Sequence, residues 1–179
     1  AKVEMVIHNF HFPASVILKE RAFVKRPTQE KQMRKFSKNH DANKKLFEFG
    51  KTIGLKYLSA DPTMDSFDSL DKLVDEYKIA IAIHPHGPSG KGGRHQWWSA
   101  EVIMKAVKDH HKLIGTCLDT GHLIRMEQLG EKLDPAEQVK VMGERNYAIH
   151  LKDHDNKKKE DVPFGDPAGV LNVSAVLKA

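Results

Sequence analysis

Four short apolar runs along the chain each stop at a residue type that can ligate a metal ion. Continuous apolar runs of this length indicate buried parallel strands, and polar residues at their carboxyl ends are typical of βα barrels. The runs, each with the residue that ends it, are 56–60 with Asp61, 79–83 with His84, 114–118 with Asp119 and 147–149 with His150.

The spacing of these strand ends indicates repeated βα units. Successive ends are about 23 to 35 residues apart, and a strand, a crossover helix and two loops need roughly 30 residues. In parallel units, the carboxyl ends of neighbouring strands meet on one face. The pattern therefore predicts a sheet that gathers Asp61, His84, Asp119 and His150 on that face.

Helices are predicted between the strands from apolar spacing and from capping residues. A further strand is predicted over 3–7, and the stretch 87–96, with its glycines, is predicted to be a loop. The predicted helices are 30–36 after Thr28, a helix capped by Asp41 and ended by Gly54, one around 67–74, one after the cap Ser99, one over 122–129, one over 135–145 and one over 172–178.

Length and composition fit one soluble α/β domain covering residues 1–179. The chain is 40% hydrophobic and 30% charged, which is typical of globular proteins. Five convincing strands are fewer than the eight of a closed barrel, which typically takes about 250 residues. The predicted fold is thus an incomplete (β/α)8 TIM barrel with about five to six parallel strands and crossover helices.

The incomplete barrel also predicts an oligomeric state. Exposed sheet edges favour pairing with another chain, so a homo-oligomer is expected.

Charge and hydropathy narrow the choice of partners. The net charge is +5 and the pI about 9.2, but the lysines are spread and mixed with acids, so nucleic acid is not the favoured partner. No apolar run reaches the roughly 20 residues that cross a membrane. The chain shows no secretory signal pattern, which favours the cytoplasm. Its one cysteine, Cys117, lies in a predicted strand and is interpreted as an inert core thiol.

His84, Asp119 and His150 form the strongest candidate metal site. Two imidazoles and one carboxylate give a mixed nitrogen and oxygen donor set, which suits one divalent ion of Mn, Zn, Co or Fe. Such an ion would polarise a substrate carbonyl. The alternative is that these side chains only hydrogen-bond to loop carbonyls.

Further residues near the strand ends are candidates for contacts with a substrate. His86 could act as an acid, a base or a hydroxyl contact, or it could fix the loop. Trp97 could stack on a sugar ring or pack the loop onto the barrel rim. If strand alternation continues beyond His150, Lys152 points away from the site and Asp153 points toward it. Lys152 could bind a phosphate or hydroxyl group, and Asp153 could orient a neighbour.

Three motifs resemble the sugar phosphate isomerase/epimerase family of the xylose-isomerase-like TIM barrels. They are Ile83-His-Pro-His-Gly-Pro88, Cys117-Leu-Asp-Thr-Gly-His122 and Ile149-His-Leu-Lys-Asp153. The resemblance runs from about residue 41 onward. It implies a central and C-terminal part of a barrel, without counterparts of the first, third and eighth strands.

The resemblance also implies an activity and a set of site residues. Members bind one divalent metal ion and move a proton between neighbouring sugar carbons through an enediolate. By position, Asp119 and His150 correspond to metal ligands and His122 to a substrate contact. His84 stands where many members have a catalytic glutamate. A second glutamate of the family lies on the eighth strand. The implied substrate is a small sugar, with His84, His86 and His122 as the catalytic candidates.

Two other functions stay open from the sequence. An endonuclease-IV-like zinc nuclease would suit the basic pI, but Gly121 and Lys152 stand where that family has Cys and Asn. A non-catalytic, truncated barrel with a binding or assembly role is the other alternative.

Overall fold

One parallel sheet forms the centre of the molecule. A computed structural model describes residues 36–88 and 92–179, together with the backbone of 9–10. Its five strands lie in the order of the chain, and each neighbouring pair is parallel. The strands are β1 (Asn9–Phe10), β2 (Tyr57–Ala60), β3 (Ala80–Ile83), β4 (Ile114–Asp119) and β5 (Asn146–His150).

Helices connect these strands and cover the sheet. Of the predicted caps, Ser99 is confirmed by its side chain, which accepts a hydrogen bond from the backbone N–H of Val102. The helices are α1 (His40–Thr52), α2 (Phe67–Tyr77), α3 (Ala100–Val107), α4 (Thr120–Arg125), α5 (Pro135–Met142) and α6 (Val173–Lys178). The prediction of an incomplete TIM barrel with parallel strands and crossover helices is therefore confirmed.

Some predicted elements differ from the structure. The cap of α1 is Asn39, whose side chain accepts from the N–H of Ala42. The cap thus lies two residues before the predicted cap, Asp41. The predicted helix 122–129 starts at Thr120 and tightens into a 3₁₀ turn over Met126–Leu129. The predicted strand 3–7 and most of the predicted helix 30–36 lie outside the described residues.

The segment after β5 carries structure that the sequence pattern did not reveal. Two short antiparallel strands, β6 (Asp153–Asp155) and β7 (Glu160–Val162), form a hairpin there. Its residues are mostly charged, so no apolar alternation marks them as strands. Burial of Asp153, His154 and Asp155 is decided by the tertiary fold.

The core lies between the sheet and its helices. Every residue of β3 and β4 is buried, as expected for parallel strands covered on both faces. On α2, Leu70, Leu73 and Val74 are each fully buried, because their spacing places them on one face of the helix. Cys117 is a free, buried cysteine of β4. No helix within the described ranges is long and apolar enough to cross a bilayer.

Arg145 ties the end of α3 to the start of β4. Its guanidinium donates hydrogen bonds to five backbone carbonyl oxygens at the end of α3, in the following turn and at the start of β4. The acceptors are Val107 at 2.9 Å, Ile114 at 2.8 Å, His111 at 3.2 Å, His110 at 3.1 Å and Lys108 at 3.5 Å.

Replacement of this guanidinium should destabilise the fold. We expect Arg145→Lys to lower the free energy of unfolding by about 2 kcal/mol. The two terminal guanidinium nitrogens together bond to five carbonyl oxygens, and a single ammonium group cannot reach all of them. Urea unfolding followed by circular dichroism measures this change. The control is Arg94→Lys, which alters a partly exposed ion pair with Glu131 and should change stability by less than about 0.5 kcal/mol. Equal effects of the two substitutions would contradict the assignment.

Candidate metal and substrate site

The carboxyl ends of β2 to β5 bring the predicted site residues together. Asp119 and His150 are direct partners in the β4–β5 register. His84 follows β3, and its backbone N–H donates to the carbonyl of Ala60 at 2.9 Å. Asp61 follows Ala60 in the chain. The strand ladder thus carries these side chains to one face, as the spacing predicted.

Three ligand atoms converge at the centre of this face. Nε2 of His84 lies 2.9 Å from Nδ1 of His150. Oδ2 of Asp119 lies 3.5 Å from Nε2 of His84 and 3.6 Å from Nδ1 of His150. Asp119 is fully buried and His84 is 7% exposed, whereas the His150 side chain is 36% exposed. The cluster is therefore anchored in the protein and open on the side of His150.

The charge state of Asp119 is fixed by its neighbours. Burial alone would raise its pKa, but the neighbouring side chains of His150, His84 and Lys152 favour the ionised form and hold the pKa well below its ordinary value. The same contact with Asp119, followed by one with Cys117, raises the pKa of His150 to about 9. The site thus contains a permanently ionised carboxylate that attracts positive charge.

The three donors fit a divalent metal ion. Their mutual separations of 2.9 to 3.6 Å agree with the roughly 3.4 Å between ligand atoms that share one tetrahedral ion at about 2.1 Å. Oδ2 of Asp119 is buried, lies 3.0 Å from the ammonium of Lys152 and faces both imidazoles at 3.5 to 3.6 Å, outside ordinary hydrogen-bond length. A buried carboxylate calls for neutralising positive charge, which the Lys152 ammonium supplies on one side and a metal ion between the imidazoles could supply on the other. His84, Asp119 and His150 therefore form a group that could hold a metal ion.

Thr120 joins the two motifs that contribute the ligands. Its hydroxyl accepts from the N–H of Lys152 at 2.8 Å and donates to the carbonyl of Lys152 at 2.7 Å. Gly121 permits this approach, because a Cβ there would lie 3.1 Å from the Cβ of Lys152. The Asp-Thr-Gly-His and His-Leu-Lys-Asp motifs thus form one structural unit.

This unit decides where Lys152 points. Nζ of Lys152 lies 3.0 Å from Oδ2 of Asp119, so Lys152 does not point away from the site as it would if strand alternation continued beyond His150. The reason is that β5 ends at His150, and Thr120 then sets the direction of the backbone. Lys152 stands beside the candidate metal ligands.

The hydroxyl of Thr120 should be necessary for this arrangement. We expect Thr120→Val, which keeps the shape of the side chain, to lower the free energy of unfolding by about 1.5 kcal/mol, since the N–H of Lys152 loses its acceptor in a partly buried place. Thermal unfolding measures the change. Thr52→Val serves as the control, because the Thr52 hydroxyl bonds to the carbonyl of Glu48 on the exposed face of α1. A larger loss in the control than in Thr120→Val would contradict the prediction.

His122 is held in a single protonation pattern. Its Nδ1 accepts from the N–H of Gly87 at 2.9 Å and lies 3.0 Å from the guanidinium of Arg125. Burial, together with the positive charge of Arg125, lowers the pKa of His122 to about 3 despite the opposing charge of Asp119. The ring is therefore neutral and carries its proton on Nε2, where it can donate a hydrogen bond.

A second group lies at the rim of the site. The ring of His86 is 5.0 Å from that of His84, 5.2 Å from that of His122 and 4.5 Å from that of His95. Nε2 of His95 lies 3.6 Å from Oδ2 of Asp61. Burial would raise the pKa of Asp61, but the neighbouring His95 ring and the hydrogen bond from Gln96 hold the pKa below its ordinary value. Histidines thus extend from the central cluster to the end of β2.

Comparison with known proteins identifies the family. The family model of the xylose isomerase-like TIM barrel matches residues 59–179, which include all three strand ends of the central cluster. The chain belongs to this family. No curated protein matches the chain.

Solved structures with the same fold agree with this assignment. A D-tagatose 3-epimerase-like protein is 19% identical with a TM-score of 0.57, covering 78% of this chain and 56% of its own. A protein from Parabacteroides distasonis is 30% identical with a TM-score of 0.53, covering 80% and 52%. The 3-keto-D-glucoside 4-epimerase of E. coli is 12% identical with a TM-score of 0.54, covering 78% and 57%. The chain thus spans about half the length of these structures.

Two candidates for substrate contacts, Trp97 and Asp153, are buried and make contacts within the protein. Trp97 is 1% exposed, its Nε1 donates to the carbonyl of Pro62 at 3.0 Å, and its ring packs edge-on against Phe67. Asp153 is 4% exposed, and its Oδ1 accepts from the N–H groups of Val170 and Leu171. Within this xylose isomerase-like domain, Trp97 packs the loop onto the rim and Asp153 fixes the C-terminal loop.

Several site residues were not found by sequence reasoning. Thr120 was read only as part of a motif, and Arg125, His95 and Gln96 were not singled out. His95 and Gln96 lie in the predicted loop 87–96, where no periodic pattern marks individual residues. The pairing of His95 with Asp61 becomes visible only when the loop folds back onto the end of β2.

Proposed function

We propose that the chain is part of a metal-dependent sugar or sugar-phosphate isomerase or epimerase. The observation that carries this proposal is the buried Oδ2 of Asp119 facing Nε2 of His84 and Nδ1 of His150 at the carboxyl ends of adjacent barrel strands. Membership in the xylose isomerase-like family supports it. The two structural neighbours named as epimerases support the same class of reaction.

The metal would be held by His84, Asp119 and His150. Mn²⁺, Zn²⁺, Co²⁺ and Fe²⁺ suit this donor set. When bound, a divalent ion polarises a carbonyl and stabilises negative charge on its oxygen. Asp119 supplies the negative charge that attracts the ion, and the strand ladder fixes the positions of the ligands.

His122 and Lys152 would complete the site around a substrate. The neutral His122 ring presents its Nε2–H as a hydrogen-bond donor to a substrate oxygen, while Gly87 and Arg125 hold the opposite nitrogen. Lys152 lies with its side chain 41% exposed, so its ammonium can contact a hydroxyl or phosphate group. His86, half-buried between His84 and His122, lines the rim.

Isotope exchange tests the proposed reaction. The protein is incubated in D₂O with Mn²⁺ or Co²⁺ and with a panel of ketoses and ketose phosphates, and the sugars are then examined by NMR. Proton transfer next to the carbonyl should place deuterium on that carbon, even where little product accumulates. Exchange should need the metal and should disappear in His150→Ala.

Two further comparisons make this experiment decisive. His40→Ala changes a histidine that bonds to Ser69, away from the strand ends, and should retain the exchange. Absence of deuterium from every sugar, with the metal shown to be bound, would overturn the proposed reaction. Cleavage of duplex DNA at abasic sites under the same conditions would favour the nuclease alternative.

We also propose that the chain forms a homo-oligomer through β5. Among the described strands, β5 is hydrogen-bonded to β4 on one side, and each of its residues is partly exposed. An edge of this kind can add a strand from a second copy. Sedimentation equilibrium over a range of concentrations should show a dimer or larger species, and a monomer at every concentration would contradict the proposal.

A further inference from the structure

Asp61, His86 and His95 form a group of ligands separate from Asp119 and His150. One carboxylate oxygen and one nitrogen from each histidine lie within 4.8 Å of one another. The three residues come from three places, namely the end of β2, the end of β3 and the loop that precedes α3. Their convergence is therefore produced by the fold and has no counterpart in a local sequence motif.

The separation of Asp61 and His95 suits two ligands on one ion. Nε2 of His95 and Oδ2 of Asp61 are 3.6 Å apart, which exceeds a normal hydrogen-bond length and is close to the roughly 3.4 Å between ligands of one tetrahedral ion. The side chains are 25% and 14% exposed. They can be reached from solvent and yet are partly screened from it.

Gln96 orients the carboxylate toward this position. Its Nε2 donates to Oδ1 of Asp61 at 2.9 Å and to the carbonyl of Pro62 at 3.2 Å. Oδ1 is therefore engaged, and Oδ2 is directed to His95. Hydrogen bonds that hold a ligand's other atom are a regular feature of metal sites.

The loop that carries His95 is fastened on both sides. The N–H of His86 donates to the carbonyl of Trp97 at 2.9 Å, and the buried indole of Trp97 bonds to Pro62. The N–H of Trp97 also reaches Nδ1 of His95 at 3.2 Å. Binding an ion through Nε2 would release this long contact, whereas the two stronger ties would keep the loop in place.

His86 belongs to this group more than to a site made of His84, His86 and His122. Nδ1 of His122 accepts a hydrogen bond from Gly87 and faces the guanidinium of Arg125. A metal on Nε2 of His122 would require a proton on Nδ1, and that proton would oppose both donors. Metal binding by the three histidines together is thus disfavoured. If His86 is a metal ligand, its partners are therefore Asp61 and His95.

We propose that Asp61, His86 and His95 bind a second divalent cation next to the substrate position. Two imidazoles and one carboxylate suit Zn²⁺, Co²⁺ or Mn²⁺, and water or sugar hydroxyl groups would complete the coordination. The role toward a sugar rests on the proposed function, but binding of the ion does not. The ordinary alternative is an Asp61–His95 ion pair without a metal.

Metal stoichiometry tests the second site without any measurement of activity. The protein is stripped with a chelator, titrated with Co²⁺ and followed by calorimetry and by the visible absorption of bound Co²⁺. The wild-type chain should bind two equivalents. His95→Gln and Asp61→Asn should each leave one equivalent, with affinity at the second site reduced by more than about 100-fold, since loss of outer partners alone costs about 10- to 100-fold.

Variants of the two sites show which of the two proposed metal sites is absent if fewer than two equivalents bind. Asp119→Asn should remove the other equivalent and leave the one that depends on His95. His110→Gln is the matched control, because His110 pairs with Asp71 at 2.8 Å away from the site, and it should retain two equivalents. A single equivalent that Asp119→Asn removes, with His95→Gln and Asp61→Asn unaffected, overturns the second site. A single equivalent that only His95→Gln and Asp61→Asn remove supports it and overturns the central site instead.

Discussion

Asp119→Asn is expected to lower the affinity for a divalent metal ion at the central site by at least about 100-fold. The ligand oxygen Oδ2 is fully buried and faces His84, His150 and Lys152, so its negative charge is the main attraction for a cation. Removal of a direct ligand should cost more than the 10- to 100-fold typical of outer partners. Isothermal titration with Mn²⁺ or Zn²⁺ measures the affinity.

The substitution is chosen to leave the fold intact. An asparagine has almost the same volume, and its side-chain oxygen can still accept the hydrogen bond from the N–H of His122 that caps α4. Asp41→Asn, an exposed change in the first turn of α1, is the control and should leave the affinity unchanged. Wild-type affinity in Asp119→Asn, with normal thermal unfolding, would show that the central cluster is not a metal site.

Gly115→Ala is expected to lower the free energy of unfolding by about 3 kcal/mol or to prevent folding. A Cβ at this position would lie 2.0 Å from the carbonyl oxygen of Arg145 and 2.8 Å from the ring of Tyr147. The first of these atoms belongs to the backbone and cannot rotate away. Overpacking in a rigid core typically costs about 1 to 3 kcal/mol, and a backbone clash falls at the upper end.

The position of Gly115 gives this prediction a clear control. Gly115 lies in β4 just before the register irregularity between Thr116 and Cys117, where the backbone of β5 approaches closely. Gly50→Ala makes the same chemical change within α1, where the nearest atom is the flexible Cδ1 of Ile79 at 3.3 Å. There the gain in helix propensity opposes the contact, so stability should stay within about 1 kcal/mol. Urea unfolding of both variants compares them, and similar stabilities would contradict the argument.

The fold class could be inferred from the sequence because parallel strands leave a simple pattern. The runs before His84 and Asp119 are buried on both faces, so they are apolar without interruption. The hairpin of β6 and β7 leaves no such pattern, because its strands are rich in charged residues. Its buried Asp153 is instead held by contacts from farther along the chain, since its Oδ1 accepts from the N–H groups of Val170 and Leu171.

The central cluster was also accessible to sequence reasoning, for the same reason. Each ligand stands at the end of a strand or directly after it, and the carboxyl ends of parallel strands must meet. Lys152 and Trp97 show where this reasoning stops. Lys152 follows the end of β5, where the alternation of strand side chains no longer applies. Trp97 lies in a loop, where sequence alone does not decide between packing and ligand contact.

The sequence by itself determined which residues end the strands, and therefore that His84, Asp119 and His150 share one face of an incomplete barrel. Only the tertiary structure decided how the segments between and after the strands return to that face. The hydroxyl of Thr120 directs Lys152 toward Asp119, and the loop after β3 brings His95 to Asp61. The physical reason is that strand periodicity is a local property of the backbone, whereas these contacts depend on hydrogen bonds between segments about 30 residues apart in the chain.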